Sequence, residues 1–375
     1  MAGPETSARP DVSFVTSGHD VADARLHRLA DASRRAGLTV EVLGLGAADD
    51  APEGCVVLTR GRRGPAGRAV TALDLAGRAR GAVLVALDPD SLVAVTLLSR
   101  LRGRRVVADV HEDYARLLRD RAWARGWRLT VADRLVAAAT AAAERADATF
   151  VADEHVPPRQ ARHRVVVRNT ADHAHVGEPG EPDPRPRAVY VGDLRASRGL
   201  FDMVAAIAAS PKWSLDLIGP VAVSDRQRLT DAIARFDVPD RVRLHGRLAP
   251  RAAWSIASGA WVGFALLHGT PAFRDALPTK LGEYLAAGIL PVVSDLPRQR
   301  ALVEEVGAGS VVSSVEATTA YLQRLTEPGV LREERARALT WAERTSGGPS
   351  GYDAAATVLA ALARGERPPA TSEVG

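Results

Sequence analysis

The sequence is poor in lysine, cysteine and aromatic residues. Of its 49 basic residues only Lys212 and Lys280 are lysine, a bias that, with the many alanines, is typical of a GC-rich bacterial genome. The single cysteine, Cys55, excludes an internal disulfide and a paired-cysteine metal or redox site. No apolar run reaches the roughly 18 residues of a transmembrane helix, and the first residues lack the pattern of a secretory signal. We therefore expect a protein of the reducing cytoplasm.

The abundance of arginine does not by itself predict a nucleic-acid partner. The formal net charge is only +4, and no zinc-finger or RNA-recognition pattern is present, so we expect no nucleic acid. The densest basic segment is RLRGRR at 100–105. It predicts a solvated helix end or, alternatively, a patch for an anionic membrane or acceptor. A peripheral contact at the inner face of the membrane therefore stays open.

Short β-branched segments alternate with helical segments along most of the chain. The strand segments are nearly continuous apolar runs, which is typical of a parallel sheet covered by helices on both faces. A proline-rich break at 177–187 can form neither a helix nor an interior strand. The predicted parts are an N-terminal domain at 1–176, a linker at 177–187, a C-terminal domain at 188–350, a last helix at 351–365 and a disordered tail at 366–375.

This alternation predicts an α/β fold with two doubly wound, Rossmann-like domains facing a cleft. Open parallel sheets bind ligands beyond the carboxyl ends of their strands. Two such sheets would close on a ligand between them, with the linker acting as a hinge. We therefore expect the functional residues to follow strands.

The strongest pattern is DALPTKLGEYLAAGILPVVS at 275–294. Pro278 is typical of a helix start and Gly288 of a helix end. The free N–H groups and partial positive charge of a helix start favour a diphosphate. A cation such as Lys280 is mildly unfavourable in the first turn of a helix, so its presence there indicates that it binds an anion. Glu283, one turn further on, could accept hydrogen bonds from two neighbouring hydroxyls. For each position alone, an ordinary helix with surface Lys and Glu is the alternative.

A second segment, VYVGDLRASRGL at 189–200, predicts a strand, a loop and a helix start. Arg198 lies in the loop, where its guanidinium could hold two phosphate oxygens at once. Taken alone, Arg198 is equally explained as a solvated arginine at the start of a helix. The two segments together favour a site for a diphosphate.

These segments resemble the signature of the retaining, family 4 type glycosyltransferases of the GT-B fold. In that family an acidic residue precedes a glutamate, and Asp275 and Glu283 have the same spacing. A Tyr-x-Ala-x-Gly run and then Pro-Val-Val follow the glutamate. The resemblance covers about 11–364 of the sequence. It implies transfer of a sugar, with retention, from a nucleotide diphosphate sugar to a glycan, lipid-linked or natural-product acceptor. It also implies that the last helix packs back on the N-terminal domain.

The resemblance assigns roles to residues in both predicted domains. The donor nucleotide would be held by Gly192, Arg198, Gly219, Leu248, Lys280 and Glu283, the reaction would involve His111, Arg198, Asp275 and Lys280, and the acceptor side would include Gly18, His19 and Arg25. Glu283 would bind the ribose, and Asp275 and His111 would face the donor sugar. No metal or other cofactor is expected, because cationic side chains supply the charge at the diphosphate.

Two positions depart from the family pattern. Asp275 stands where the family usually has glutamate, and Asp193 where it often has a second arginine. Two alternatives therefore stay open, a GT-B sugar-nucleotide epimerase and a catalytically inactive GT-B partner protein. The acidic pair of Asp88 and Asp90 is interpreted as a helix start capped by Asp90 or Ser91, not as a metal site. The histidines at 173 and 175 lack further ligands at suitable spacing.

Overall fold

The computed structural model of the chain describes residues 9–119, 126–168, 176–271, 273–345 and 350–369. The chain forms two compact units. Unit 1 comprises Met1–Asn169 and Pro349–Gly375, and unit 2 comprises Thr170–Gly348. His173, His175 and the part of the predicted tail beyond residue 369 lie outside the described residues.

Seven parallel strands form the sheet of unit 1. They are β1 Val12–Asp20, β2 Val40–Leu45, β3 Val56–Arg60, β4 Val83–Ala86, β5 Arg105–Val110, β6 Ala148–Val151 and β7 Arg164–Val166. Their order in the sheet is β3-β2-β1-β4-β5-β6-β7. The order reverses between β1 and β4, which is the switch point of a doubly wound sheet.

Six parallel strands form the sheet of unit 2. They are β8 Arg187–Val191, β9 Ser214–Ile218, β10 Val242–Gly246, β11 Val262–Ala265, β12 Leu290–Ser294 and β13 Ser310–Val312. The order is β10-β9-β8-β11-β12-β13, with its switch point between β8 and β11. Both sheets therefore confirm the predicted fold class of two doubly wound α/β domains.

Helices cover both sheets. Those of the described residues are α1 Ala24–Arg35, α2 Pro65–Arg78, α3 Pro89–Arg102, α4 Tyr114–Arg119, α5 Trp127–Arg145, α6 Leu200–Ala208, α7 Arg226–Arg235, α8 Pro250–Ala257, α9 Thr279–Ala286, α10 Pro297–Val306, α11 Val315–Arg324, α12 Val330–Thr345 and α13 Gly351–Ala363. In the part of the chain that the structure describes, none of them has both the length and the apolarity to cross a bilayer.

The last helix, α13, belongs to unit 1 although it follows unit 2 in the sequence. It begins with a capping box, in which Ser350 and Asp353 satisfy each other's backbone N–H groups. Its buried face, including Tyr352 and Leu359, shares one apolar core with Phe14 of β1 and Leu26 of α1. This burial holds the C-terminal segment on unit 1.

Candidate functional site

The site of unit 2 lies at the carboxyl ends of β8, β9 and β11, at the switch point of the sheet. Gly192 follows β8 and Gly219 follows β9, and the Gly192 N–H donates to the Ile218 carbonyl over 2.8 Å. Their φ angles are +136° and +144°. A Cβ on Gly219 would stand only 2.0 Å from the Gly192 carbonyl oxygen. Both positions therefore require glycine, because other residues rarely adopt such φ angles, and at Gly219 the two loops also touch along their backbones.

Arg198 lies in a short 3-10 turn, Ala196–Arg198, that follows Gly192. Backbone hydrogen bonds fix this turn, including one of 3.0 Å from the His268 N–H to the Ser197 carbonyl. The guanidinium carbon of Arg198 lies 5.5 Å from the centre of the Phe273 ring. The loops after β8 and β11 therefore hold the Arg198 side chain between them.

Helix α9 begins next to this turn. Pro278 is its N-cap residue and no side chain caps the first turn, so the first N–H groups are available to an anion. Lys280 is the second residue of the helix, and Glu283 is buried one turn later. Gly288, with a φ of +67°, follows the helix end.

Lys280 packs on Tyr190, the last but one residue of β8. Its Nζ stands 3.6 Å from the centre of the Tyr190 ring. If residue 192 carried a Cβ, that atom would lie only 2.9 Å from the Lys280 Nζ. The Tyr190 hydroxyl donates to the Asp193 carbonyl over 2.9 Å. The structure thus brings Gly192, Arg198 and Lys280 together, and it adds Tyr190, which the sequence analysis did not single out.

The two cations of this cluster affect the titration of their neighbours. Burial lowers the pKa of Lys280, and the nearby Arg198 adds to this effect. Burial opposes ionisation of Tyr190, but Lys280 and Arg198 together lower its pKa. The Lys280 Nζ is buried, and the described residues offer it no acceptor of ordinary hydrogen-bond geometry. An anion bound here would relieve the repulsion between the two cations.

Asp193 and Asp275, the two residues that depart from the pattern of the resembled family, lie at different places in unit 2. The Asp193 carboxylate is 3.0 Å from Arg195 and 3.6 Å from Arg247, so it pairs with cations other than Lys280. Asp275 is exposed in the loop before α9, and its carbonyl accepts a hydrogen bond of 3.2 Å from Arg298. Leu248 is half-buried in the loop after β10 and packs against the core of the unit.

The predicted residues of unit 1 lie at the carboxyl ends of β1 and β5. The rings of His19 and His111 are 4.9 Å apart, edge to face. His111 Nδ1 lies 3.8 Å from the carboxylate of Asp109, and His19 Nδ1 lies 3.6 Å from that of Asp23. Burial disfavours the His19 cation, but the nearby carboxylate of Asp23 outweighs this effect and raises the pKa of His19 to about 9. His19 is therefore cationic at neutral pH.

Arg25 has a different environment from the one expected for a residue facing the acceptor. Its guanidinium is buried and bonds both oxygens of Asp109, at 2.8 and 2.6 Å, and the Val167 carbonyl at 2.9 Å. Burial disfavours ionisation of Asp109, but Arg25 lowers its pKa to about 2. The acceptor-side role of Arg25 stays a prediction, and the structure shows its guanidinium paired with the carboxylate beside His111.

Asp88, and neither Asp90 nor Ser91, caps helix α3. Its buried carboxylate accepts hydrogen bonds from the Ser91 N–H at 3.0 Å, the Thr16 hydroxyl at 2.9 Å and the Gly18 N–H at 3.1 Å. The expected cap at Asp90 or Ser91 is therefore wrong, because the side chain one residue before the helix reaches its first turn. Asp88 thus ties the end of β1, at Gly18, to the start of α3. Within the described ranges, no group of three or more His, Cys, Asp or Glu side chains could hold a metal ion.

Two comparisons of the sequence match part of the chain to known proteins. Residues 173–339 match the family model "Glycosyl transferases group 1". A GDP-mannose:cellobiosyl-diphosphopolyprenol alpha-mannosyltransferase of Xanthomonas oryzae pv. oryzae is 26% identical over 178 residues. This match spans 46% of this chain and 45% of the relative.

Solved structures resemble the chain over almost its whole length. Sucrose-phosphate synthase of Thermosynechococcus elongatus has a TM-score of 0.63 at 15% identity, covering 94% of this chain and 96% of that one. Anabaena Alr3699/HepE, solved with UDP and glucose, also has a TM-score of 0.63 at 15% identity, covering 89% and 95%. The two doubly wound sheets thus have the GT-B fold of these structures, and the match to the group 1 glycosyltransferase model lies at residues 173–339.

Proposed function

We propose that the protein is a retaining glycosyltransferase that moves a sugar from a nucleotide diphosphate sugar to a hydroxyl or other nucleophile of its acceptor. The observation that carries this proposal is the cluster of Arg198 and Lys280 at the uncapped start of α9. It combines two cations, free N–H groups and a glycine turn at the switch point of the sheet. Such a site suits the diphosphate of the donor.

The cluster would act on the leaving group. As the bond between the sugar and the diphosphate breaks, negative charge grows on the phosphate oxygens. Arg198, Lys280 and the dipole of α9 would stabilise that charge, and donors that are fixed before the reaction need no rearrangement at that moment. No metal ion is required in this scheme. We propose retention from the family resemblance. The acceptor would attack the sugar on the same face from which the leaving group departs.

The rest of the donor would extend from this cluster. Glu283 is proposed to bind the ribose hydroxyls, and the loops at Gly219 and Leu248 are proposed to hold the base. Asp275 is proposed to contact the donor sugar from the loop before α9, and so is His111 from unit 1. That Alr3699/HepE was solved with UDP and glucose supports a nucleotide-sugar donor.

The acceptor is proposed to bind at the His19 edge of unit 1, with Gly18 as part of that edge. We propose a glycan, a lipid-linked molecule or a small natural product as its class. The relative from Xanthomonas oryzae is named for a diphosphopolyprenol-linked acceptor, and this supports a lipid-linked acceptor. We propose a cytoplasmic location with a peripheral contact at the inner face of the membrane.

A donor panel tests the proposal. UDP and GDP sugars are added to the protein and the midpoint of thermal unfolding is measured, since a ligand at 100 times its Kd stabilises by about 2.7 kcal/mol. The stabilising donor is then incubated with acceptor extracts, and the anomer of the product is determined by NMR. A transferred sugar with its anomeric configuration retained is expected. An epimerised nucleotide sugar, or no binding of any donor, would contradict the proposal.

A further inference from the structure

An apolar patch lies on the outer side of unit 1, on α2 and α3. Val70, Leu73, Leu97 and Leu101 have exposed fractions of 56%, 46%, 57% and 81%. Spacings of three and four residues put each pair on one side of its helix. The two helices pack side by side. Single exposed apolar residues are ordinary, but a contiguous group marks an interaction surface.

Arginines border this patch at the C-terminal ends of the two helices. Arg78, Arg100 and Arg102 are exposed, and Arg102 joins the two ends by donating to a backbone carbonyl of α2 over 2.9 Å. We call the apolar patch with these three arginines the α2–α3 face. The acidic residue within it, Asp74, is paired with Arg60 at 2.9 Å and with Arg78 at 2.7 Å. The face is therefore both apolar and basic.

The basic character continues beyond the ends of the helices. A surface cavity of about 420 Å³ is lined by Arg100, Arg104, Arg105 and Arg145. Its acidic residue, Asp147, is paired with Arg105 at 2.9 Å. Burial lowers the pKa of Arg104, and the neighbouring cations of Arg9 and Arg102 lower it further. The cluster thus holds more positive charge than its own acids neutralise.

Capping of helix ends explains some of these arginines but not the leucines beside them. Arg102 bonds the Gly77 carbonyl at the end of α2, and Arg145 bonds a carbonyl near the end of α5 over 2.8 Å. Leu101, however, stands between Arg100 and Arg102 with most of its side chain in water. A leucine side chain gains nothing from that position in the isolated protein, because its apolar area stays hydrated.

We propose that the α2–α3 face binds the surface of an anionic phospholipid membrane. The exposed leucines enter the boundary between headgroups and acyl chains, and the arginines contact lipid phosphates. The face begins beside the acceptor edge, because Arg68, at the start of α2, lies 3.8 Å from Asp88 and packs against Gly18. A bilayer on this face would bring a lipid-linked acceptor beside His19. The face gives the peripheral contact of the proposed function its location, and the placing of the acceptor rests in addition on the proposed sugar transfer.

Vesicle sedimentation tests the apolar part of the face with a matched pair of variants. The test variant is Leu97→Ser/Leu101→Ser. Its control is Leu244→Ser/Val223→Ser, whose side chains are 51% and 81% exposed in unit 2. Both variants replace two exposed apolar residues by serine. The vesicles contain phosphatidylcholine with or without phosphatidylglycerol.

A second pair of variants tests the charge of the face. The test variant is Arg78→Glu/Arg100→Glu, and its control is Arg251→Glu/Arg332→Glu, also exposed residues but of unit 2. Both variants make the same change in net charge. Arg102 is left in place because its hydrogen bond joins α2 and α3. The pair of Arg78 with Asp74 lies at the surface, where an ion pair adds at most about 1 kcal/mol to stability.

The wild type and both controls should sediment with the anionic vesicles, and added salt should release them. Loss of each arginine should weaken binding roughly fivefold, so that Arg78→Glu/Arg100→Glu binds at least about 25-fold more weakly. Leu97→Ser/Leu101→Ser should also lose binding. Thermal stabilisation by UDP and GDP sugars should be unchanged in all four variants, which separates this proposal from that of donor binding.

Three outcomes would overturn the proposal. The first is a wild type that stays in the supernatant with every vesicle, and the second is a pair of test variants that bind vesicles as well as their controls. The third is a change in oligomeric state, measured by light scattering, in the test variants alone and without any vesicle binding. That result would assign the α2–α3 face to a second copy of the chain.

Discussion

Lys280 allows the sharpest test of the diphosphate site, because the chain has one other lysine to serve as its control. Lys280 packs on Tyr190 with a buried Nζ, whereas Lys212 is exposed in unit 2. Replacing Lys280 by methionine keeps most of the stem over the ring and removes the charge. Lys212→Met makes the same chemical change at the surface.

Loss of one donor that stabilises charge in the transition state costs about 3–4 kcal/mol, or a hundredfold to a thousandfold in rate. In the proposed site Asp193 stands where the resembled family often has a second arginine, so Arg198 and Lys280 would share this task. We therefore expect Lys280→Met and Arg198→Ala each to reduce turnover at saturating donor at least a hundredfold, and Lys212→Met to leave it unchanged. The double variant should lose less than the sum, because both side chains act on one charge.

The stability of the Lys280 variant provides an independent check. The pKa of Lys280 is lower in the folded protein than in the unfolded chain. Its protonation therefore favours unfolding, and its contribution to stability is lost as the pH falls through the folded-state pKa. Lys280→Met should thus be at least as stable as the wild type at neutral pH in chemical denaturation. Normal turnover in Lys280→Met would show that the phosphate site is misplaced, whatever the stability.

Three further predictions concern the ribose, the metal and the acceptor edge. Glu283→Gln, which keeps the shape of a buried side chain, should weaken donor nucleotide binding in calorimetry with little change in the thermal midpoint; unchanged affinity would refute the ribose role. Turnover should survive EDTA, and loss that Mg²⁺ or Mn²⁺ restores would return Asp88 and Asp90 to consideration as ligands. The NMR titration of His19 should give a pKa near 9. The ion pair of His19 and Asp23 then stabilises the fold fully below the usual histidine pKa of about 6.5, and this stabilisation is lost as the pH rises through about 9. Asp23→Asn should lower that pKa, since the main group that opposes the effect of burial is lost, and an unshifted value would refute the pairing.

Most strands could be predicted to within two or three residues, because a strand covered on both faces is a short apolar run between breakers. β12, Leu290–Ser294, coincides with such a run, and β1 extends beyond its apolar segment to Asp20. A strand that is too short to be predicted in this way is β13, with three residues, Ser310–Val312. It follows Gly309, lies at the edge of the sheet and is held there by pairing with β12. Such pairing is tertiary and leaves no periodic signal in three residues.

The site was less predictable where it depends on contacts between distant segments. Tyr190 lies on a buried strand, and in the sequence it is only one of several apolar residues before Gly192. Its contact with Lys280 arises because β8 and β11 are neighbours in the sheet. Similarly, Arg25 was expected at the acceptor edge, and only the pairing with Asp109 on β5 shows that it is buried. The signal that could have found Tyr190 is its position directly before the glycine turn.

The same contacts explain why a chain in which nearly every basic residue is arginine has a lysine at position 280. The Nζ lies 3.6 Å from the Tyr190 ring centre and would lie 2.9 Å from a Cβ on Gly192. A planar guanidinium is larger than an ammonium group, and its fork of donors needs more room than this gap offers. Gly192 must be glycine for its own backbone, with a φ of +136°, and its missing side chain leaves the space that the Lys280 ammonium occupies. The rare lysine and the strained glycine, far apart in the sequence, therefore form one steric arrangement that places a compact cation at the start of α9.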